Sequence, residues 1–177
     1  MAHPTDTIYQ SCDQWALPQR EMLYDTVIDL KAQTVLEIGT NIGDSTRILS
    51  TALKETGGHL YSLDSGGCRD AWYLKWDCSN ITFITDNSLS VPWDKELDLL
   101  LVDGGHEFAT CKSDLTRFGP WVRVGGHVLV HDTRLQGVQG DIRRAIYEWT
   151  AETLLPWTEY PHGVGLGIIR MLHSLPR

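Results

Sequence analysis

Basic residues and long apolar runs are scarce in this chain of 177 residues. Its 15 Lys and Arg stand against 23 Asp and Glu, and the formal net charge is −8 at pH 7. Proteins that bind nucleic acid neutralise its phosphates with clustered basic side chains, so this composition argues against a nucleic-acid partner. No apolar run approaches the ~20 residues that cross a bilayer, and residues 1–10 lack the features of a signal peptide. We therefore expect a cytoplasmic protein with no membrane partner.

The cysteines lack any recognisable pattern. There are four of them, with no CxxC pair and no zinc-ligand spacing: Cys12, Cys68, Cys78 and Cys111. This arrangement favours reduced thiols over a disulfide framework or a zinc site. Cys111 shares one helical stripe with Phe108 and Leu115, so we expect it to be a buried core residue.

Apolar stretches of strand length alternate with helical patterns along most of the chain. The strands predicted first are residues 34–38, 59–64, 81–85, 98–102 and 126–131. Such alternation is typical of a mostly parallel sheet with helices on both faces. The tail differs, because residues 157–161 and 164–170 are joined by only two residues and must pair as an antiparallel hairpin. We predict one α/β domain over residues 1–177, a Rossmann-like doubly wound fold, with residues 1–18 as an N-terminal extension.

A dinucleotide fingerprint is also missing. The stretch VLEIGTNIGDST, residues 35–46, runs from a buried strand into a loop with a G-x-x-x-G spacing, whereas dinucleotide sites carry G-x-G-x-x-G. The following helix begins near Asp44, where a carboxylate would repel the pyrophosphate that a helix amino terminus otherwise binds. The loop therefore favours a ligand that has an adenosine but no phosphates.

Acidic and polar residues follow successive predicted strands. Asp64 ends the second strand, where a carboxylate can accept hydrogen bonds from both ribose hydroxyls. Asp86, Asn87 and Ser88 end the third strand, and their side chains suit recognition of an adenine edge. An Asp at a strand end can also be no more than a turn former, but two such sites at successive strand ends together indicate a ligand.

These motifs resemble those of class I S-adenosylmethionine-dependent methyltransferases, in the branch that includes macrolide-sugar O-methyltransferases and cephalosporin-hydroxylase-like proteins. The similarity lies in VLEIGTNIGDSTRIL, LYSLD, FITDNSL, the D-G-G-H motif and G-G-x-x-x-x-H-D-T. It implies a seven-stranded sheet with an antiparallel last strand and S-adenosyl-L-methionine as cofactor, with Glu37 and Gly39 at its methionine end and Asp64 at its ribose. The expected cofactor-binding residues are Glu37, Gly39, Thr40, Gly43, Ser45, Asp64, Ser65, Asp86, Asn87, Ser88 and Asp103.

The fourth and fifth predicted strands end at Asp103 and Asp132. Neighbouring strands lie about 4.8 Å apart, so these carboxylates can converge on Mg²⁺ or another divalent cation. Related O-methyltransferases hold a divalent ion at these strand ends, and Thr133 here replaces the Asn of the catechol-type enzymes. The expected metal ligands are Asp103, Asp132 and Thr133.

Two histidines lie close to these aspartates in the sequence. His106, in the D-G-G-H motif, is the expected catalytic base, together with Asp103 as a catalytic residue. The alternative for His106 is that it only caps the next helix. His131 precedes Asp132, and strand alternation predicts that the two side chains point in opposite directions.

Together these features favour O-methylation of a hydroxyl on a small molecule or a sugar or glycan. The alternatives are an N- or carboxyl-methyltransferase, a cephalosporin-hydroxylase-like protein, or a non-catalytic domain that binds an adenosyl ligand. A chain of this size needs a loop or a second subunit to close its pocket, so a homo-oligomer is one possibility, and an acceptor on an open face is another. The aromatic residues Trp72, Tyr73 and Trp76, within the loop 65–80, suit a mobile cover over the site or a packed helix.

Overall fold

The computed structural model describes residues 3, 15–66 and 76–177. Its four α-helices are α1 (Leu17–Leu30), α2 (Asp44–Thr56), α3 (Phe108–Phe118) and α4 (Gln139–Thr153), and a short 3-10 helix spans Gly119–Trp121. Its seven strands are β1 (Thr34–Ile38), β2 (His59–Leu63), β3 (Ile81–Ile84), β4 (Leu97–Val102), β5 (Val122–His131), β6 (Trp157–Tyr160) and β7 (Leu166–Arg170). Within the described residues, no helix combines the length and the apolar character needed to cross a membrane.

All seven strands form one sheet in the order β3-β2-β1-β4-β5-β7-β6. Strands β1 to β5 are parallel, whereas β7 pairs antiparallel with both β5 and β6. This topology confirms the predicted Rossmann-like α/β fold with an antiparallel carboxyl-terminal hairpin. The carboxyl ends of β1 to β5 therefore meet at one edge, which is where ligands bind in such sheets.

Two strand boundaries differ from the sequence prediction by more than one residue. Strand β5 begins at Val122, four residues before the predicted start, and continues through the Gly125-Gly126 pair. Gly125 has a φ of +83°, and the pairing of β5 with β4 shifts register between Leu97 and Leu99, so the glycines accommodate an irregularity and do not end the strand. The β6–β7 connection covers residues 161–165, not two residues, because β7 begins at Leu166.

Apolar side chains pack on both faces of the sheet. On one face, α3 and α4 cover a cluster that includes Leu100, Val128 and Trp149. On the other face, α1 and α2 cover a cluster that includes Leu23 and Leu99. Cys111 is fully buried in the first cluster, as predicted, and burial raises the pKa of its thiol to about 12. This two-sided packing explains why the central strands are continuous apolar runs.

Candidate active site

A cavity of about 620 Å³ lies at the carboxyl ends of β1 to β5. Most of the residues expected at a cofactor or catalytic site line it: Gly39, Thr40, Ser45, Asp64, Ser65, Asp86, Asn87, Ser88, Asp103, His106 and Asp132. Three of the expected residues do not line it: Glu37, Gly43 and Thr133. The cavity is in the size range of small-molecule and cofactor sites, so the strand-end residues are gathered around one site of suitable volume.

The glycine loop is shaped by packing within the chain. Gly39 follows β1 with a φ of +100°, and a Cβ added there would lie 2.1 Å from the carbonyl oxygen of Asp103. Gly43 is the N-cap of α2, has a φ of +82°, and does not line the cavity. Glycine is therefore required at residue 39 because the backbone after β4 passes close to it. The reason expected from the sequence is a different one, namely the close approach of a ligand.

Glu37 lies behind this loop and is fully buried. Its carboxylate accepts hydrogen bonds from the hydroxyls of Ser45 (2.5 Å), Thr46 (2.6 Å) and Ser62 (2.5 Å). The Thr40 hydroxyl lies 2.7 Å from that of Ser62, so a chain of hydrogen bonds links the cavity wall to this carboxylate. Burial raises the pKa of Glu37 to about 7, against the three hydrogen bonds, which lower it. Glu37 thus holds the loop and the start of α2 in place, and it does not line the cavity, where the sequence placed it.

Asp64 and the residues after β3 also hold local structure. One Asp64 oxygen accepts the backbone N–H of Asn41 at 2.9 Å, and the other accepts that of Gly66 at 2.7 Å. The exposed Asp86 accepts the backbone N–H of Asn87, whose own side-chain oxygen accepts that of Leu89 at 2.8 Å. Each carboxylate oxygen can accept more than one hydrogen bond, so these contacts leave acceptor capacity toward the cavity.

Four side chains at the ends of β4 and β5 form what we term the carboxylate–histidine cluster: Asp103, His106, His131 and Asp132. The Nε2 atom of His106 lies 2.7 Å from Oδ2 of Asp132. The Nδ1 atom of His131 lies 3.0 Å from Oδ1 of Asp103 and 3.4 Å from Oδ1 of Asp132. The contacts thus run from His106 to Asp132, from Asp132 to His131 and from His131 to Asp103, so each imidazole lies beside a carboxylate.

The position of His131 contradicts the expectation that it points away from Asp132. Strand β5 ends at His131, and Asp132 adopts a φ of +65°, so the strand alternation used for the prediction stops between the two residues. The left-handed turn brings the Asp132 carboxylate back over His131. Sequence alone offers little warning of such a turn, although Asp is one of the residue types that tolerate this conformation.

Protonation within the cluster follows from these contacts. Burial would lower the pKa of His131, but the two neighbouring carboxylates raise it to about 10. The hydrogen bond to Asp132 raises the pKa of His106 above its usual value. Burial would raise the pKa of Asp132, but its hydrogen bonds to both imidazoles hold it well below the usual range. At neutral pH the cluster therefore holds an ionised Asp132 beside the His131 imidazolium.

Trp15 was not singled out by the sequence and proves to be part of the site. Its indole stacks on the His131 ring with centroids 4.0 Å apart and planes 6° from parallel. Only 2 % of Trp15 is exposed, and the Arg20 guanidinium donates a hydrogen bond to its carbonyl at 2.5 Å. The sequence signal was weak, since a lone Trp before a helix does not reveal which strand it packs on.

Thr133 follows Asp132 in the chain but does not line the cavity. It is fully buried, and its hydroxyl would contact a Cβ added at Gly165, in the β6–β7 connection. The group that could hold a metal ion consists of Asp103, His131 and Asp132, whose ligand atoms lie within 4.8 Å of one another. The structure thus brings two of the three predicted metal ligands together with His131, whereas Thr133 does not line the cavity.

The predicted aromatic cover falls largely outside the described residues. Trp72 and Tyr73 are among residues 67–75, and Cys12 and Cys68 also lie outside the described ranges. Trp76 is half-buried, with the Lys54 ammonium 5.8 Å from its ring. The two alternatives for the loop 65–80, a mobile cover and a packed helix, therefore both stay predictions.

The electrostatic character of the cavity is acidic. Six aspartates line it: Asp44, Asp64, Asp86, Asp103, Asp114 and Asp132. Among the described lining residues there is no Lys or Arg. Asp44 is buried at the start of α2 and accepts a hydrogen bond from Arg47 at 3.0 Å. Such a site attracts a cation and repels a polyphosphate.

The fold and this strand-end site are those of a Rossmann-like enzyme domain. Residues 36–133, more than half of the chain, match the family described as Methyltransferase domain. The chain belongs to this family, which confirms the methyltransferase predicted from its motifs.

Solved structures of methyltransferases share the fold at low sequence identity. An O-methyltransferase from Bacillus cereus in complex with SAH is 18 % identical with a TM-score of 0.70, over 93 % of this chain and 86 % of that one. SAH-bound PaMTH1 from Podospora anserina is 17 % identical with a TM-score of 0.69, over 94 % and 84 %. TomG from Streptomyces achromogenes, an O-methyltransferase of tomaymycin synthesis in complex with SAM, is 16 % identical with a TM-score of 0.64, over 89 % and 81 %. This chain therefore spans most of the length of each.

Proposed function

We propose that this protein transfers a methyl group from S-adenosylmethionine to a hydroxyl of a small molecule or sugar. The observation that carries the proposal is the acidic strand-end cavity with His106 at its rim. A sulfonium cation is favoured by the surrounding carboxylates, whereas the pyrophosphate of a dinucleotide would meet Asp44 in a cavity whose described lining has no Lys or Arg. The similar fold of O-methyltransferases with SAM or SAH bound supports the same choice.

The cavity fits the cofactor in parts. Asp64, after β2, retains acceptor capacity for the ribose hydroxyls, and Ser88, after β3, lies where an adenine would extend. Gly39 and Thr40 line the cavity between them and the carboxylate–histidine cluster. S-adenosylmethionine, when bound, supplies a methyl group already activated by the sulfonium. The protein must therefore mainly align the acceptor, exclude water and remove a proton.

His106 is the proposed base. Its Nε2–H donates to Asp132 at 2.7 Å, which leaves the lone pair on Nδ1 to take a proton from the acceptor hydroxyl. Asp132 stabilises the imidazolium that forms, and the raised pKa of His106 makes it a stronger base once it is deprotonated. A helix-capping role is not supported, since the N-cap of α3 is Glu107.

A hydroxyl acceptor accounts for the site better than the alternatives do. A carboxylate acceptor is already ionised, needs no base, and would be repelled by the aspartates that line the cavity. A non-catalytic adenosyl-binding domain would need no histidine paired with an aspartate at the rim. The chemistry of the cluster therefore supports O-methylation.

The carboxylate–histidine cluster also fits a divalent cation. Asp103, His131 and Asp132 would hold it, and it would polarise the acceptor oxygen and lower the pKa of the hydroxyl. Two carboxylates and one imidazole suit Mn²⁺, Fe²⁺ or Zn²⁺ better than Mg²⁺, which prefers oxygen ligands alone. His131 must lose its proton to act as a ligand, so metal binding competes with the imidazolium.

Calorimetry tests the cofactor. We expect S-adenosylhomocysteine to bind far more tightly than NAD, and Asp64→Ala to weaken its binding by roughly 1–3 kcal/mol through lost hydrogen bonds to an ionised group. Asp94→Ala is the matched control, since the Asp94 side chain is 90 % exposed and lies outside the cavity. Tight NAD binding without a response to S-adenosylhomocysteine would refute the proposal.

The acceptor is tested by methyl transfer from labelled S-adenosylmethionine to a panel of hydroxylated sugars, phenols and glycans. A methyl ether survives mild alkali, whereas a methyl ester is hydrolysed, so alkali treatment of the labelled product separates hydroxyl from carboxyl acceptors. We expect alkali-stable label that disappears in the His106→Ala variant. Label released by alkali would assign the activity to carboxyl methylation instead.

A further inference from the structure

Asp114 is a buried carboxyl group that the proposed reaction does not use. It lies in the middle of α3, is 0 % exposed, and is one of the residues that line the cavity. Neither of its oxygens has a hydrogen-bond partner of good geometry among the described residues. Asp is rarely fully buried without a partner, because removing a carboxylate from water without compensation is costly. This group therefore calls for an explanation.

No basic side chain among the described residues donates a hydrogen bond to Asp114, although Arg117 is near enough to lower the pKa of its carboxyl. Arg117, one turn further along α3, donates its guanidinium hydrogen bond to the carbonyl of Val91. The Ser88 hydroxyl approaches the carboxyl and lowers its pKa, but burial prevails and raises that pKa to about 6. The chain after β4 passes close by as Gly104, where an added Cβ would lie 3.9 Å from Oδ2 of Asp114. At Gly104 the cavity wall beside the carboxyl thus carries no side chain.

The position of Asp114 relates it to one part of the proposed cofactor. Asp64, after β2, is the proposed ribose contact, and the reacting end lies at the carboxylate–histidine cluster. The part of the cavity that remains for the base is bounded by Ser88, after β3, and by Gly104 and Asp114, after β4. An adenine in this place presents an exocyclic amino group, which is a hydrogen-bond donor without an acceptor in the ligand itself.

We propose that Asp114 reads the 6-amino group of the adenine and so makes the site selective for adenosyl over 6-keto purine ligands. The inference rests on the proposed function, because it assumes an adenosyl cofactor. The carboxylate accepts the N–H of the amino group, and this bond provides the partner that the buried oxygen lacks. A keto oxygen in the same place would direct its lone pairs at the carboxylate. The keto oxygen and the facing Asp114 oxygen would then both lack a hydrogen-bond donor.

The test compares S-adenosylhomocysteine with its deaminated 6-keto analogue, S-inosylhomocysteine, by calorimetry at pH 8. We expect wild-type protein to prefer the amino compound by about 10- to 100-fold, as for a buried acceptor left unpaired. Asp114→Asn offers an amide that can donate to the keto oxygen, so its preference should vanish or reverse. Asp94→Asn, the same change at an exposed site outside the cavity, should keep the wild-type ratio.

Each outcome decides the matter. A wild-type preference retained in Asp114→Asn would show that another group reads the base. Equal binding of both compounds by wild-type protein would overturn the inference while leaving the proposed cofactor intact, and binding of neither would overturn both. If Asp114→Asn does not fold, the binding of the purine analogue with hydrogen at position 6 is measured on wild-type protein instead. This analogue lacks the donor without added bulk, and we expect about 10-fold weaker binding, whereas affinity equal to that of the amino compound would refute the assignment.

Discussion

Replacing Glu37 by alanine tests whether a buried carboxylate holds the glycine loop in place. The change removes hydrogen bonds from Ser45, Thr46 and Ser62. Ser62 keeps its contact with the Thr40 hydroxyl, so two hydroxyls are left without an acceptor beside a new cavity. At roughly 1–3 kcal/mol for each buried group left unpaired, we expect the free energy of unfolding to fall by about 3–5 kcal/mol near pH 5.

The loss should depend on pH in a defined direction. The pKa of Glu37 is raised from 4.5 to about 7 in the folded protein. Its stabilising contribution is therefore fully present below about pH 4.5 and declines as the pH rises through 7. At pH 8 the wild-type protein must keep a buried ionised Glu37, which costs free energy of folding, and Glu37→Ala does not have this cost. The difference between the two proteins should thus be smaller at pH 8 than at pH 5 by about 2–3 kcal/mol.

Urea unfolding at both pH values, followed by far-UV circular dichroism, measures these differences. Glu152→Ala is the matched control, because the Glu152 side chain is 62 % exposed and its ion pair with Lys112 should contribute at most about 1 kcal/mol. Glu37→Gln keeps the side-chain volume and serves if the alanine variant does not fold. Equal unfolding free energies for Glu37→Ala and Glu152→Ala, or a loss independent of pH, would refute the reasoning.

Four further predictions concern the site. His106→Ala should lower kcat by about 10²–10⁴-fold and change S-adenosylhomocysteine affinity little, because the proposed base would contact the acceptor and not the cofactor; His162→Ala, at an exposed site outside the cavity, should leave both kcat and affinity unchanged. Gly39→Ala should lower the melting temperature severely, since its Cβ would meet the Asp103 backbone, whereas Gly137→Ala, with a similar φ of +96° and nothing within 4 Å, should cost much less; similar melting temperatures would contradict the packing argument. Trp15→Ala should destabilise the fold by about 3–5 kcal/mol in urea unfolding, as for a buried Trp, and a loss below about 1 kcal/mol would contradict its burial. Mn²⁺ or Zn²⁺ should raise the melting temperature more than Mg²⁺ does, and a chelator should reverse the increase. An equal increase with all three ions would argue against the His131 imidazole as a ligand.

Residue pattern predicted the architecture because it reports burial directly. Strands covered on both faces are continuous apolar runs, and the helical stripe through Cys111 correctly predicted a buried helix face. The strand-end positions of Asp64, Ser88, Asp103 and Asp132 followed from the same alternation, since parallel strands end at one edge. The methyltransferase family was evident from motifs at these positions, which is why most expected site residues do line the cavity.

What the sequence could not supply was the direction of individual side chains where regular structure ends. Strand alternation predicts a direction only inside a strand, so the left-handed turn at Asp132 reversed the expected relation to His131. Whether Glu37 faced the ligand or the hydroxyls behind the loop depended on where α2 begins its first turn against β2. The stacking of Trp15 on His131 joins residues 116 positions apart in the chain, a contact that only the packing of the N-terminal segment across the strand ends could decide.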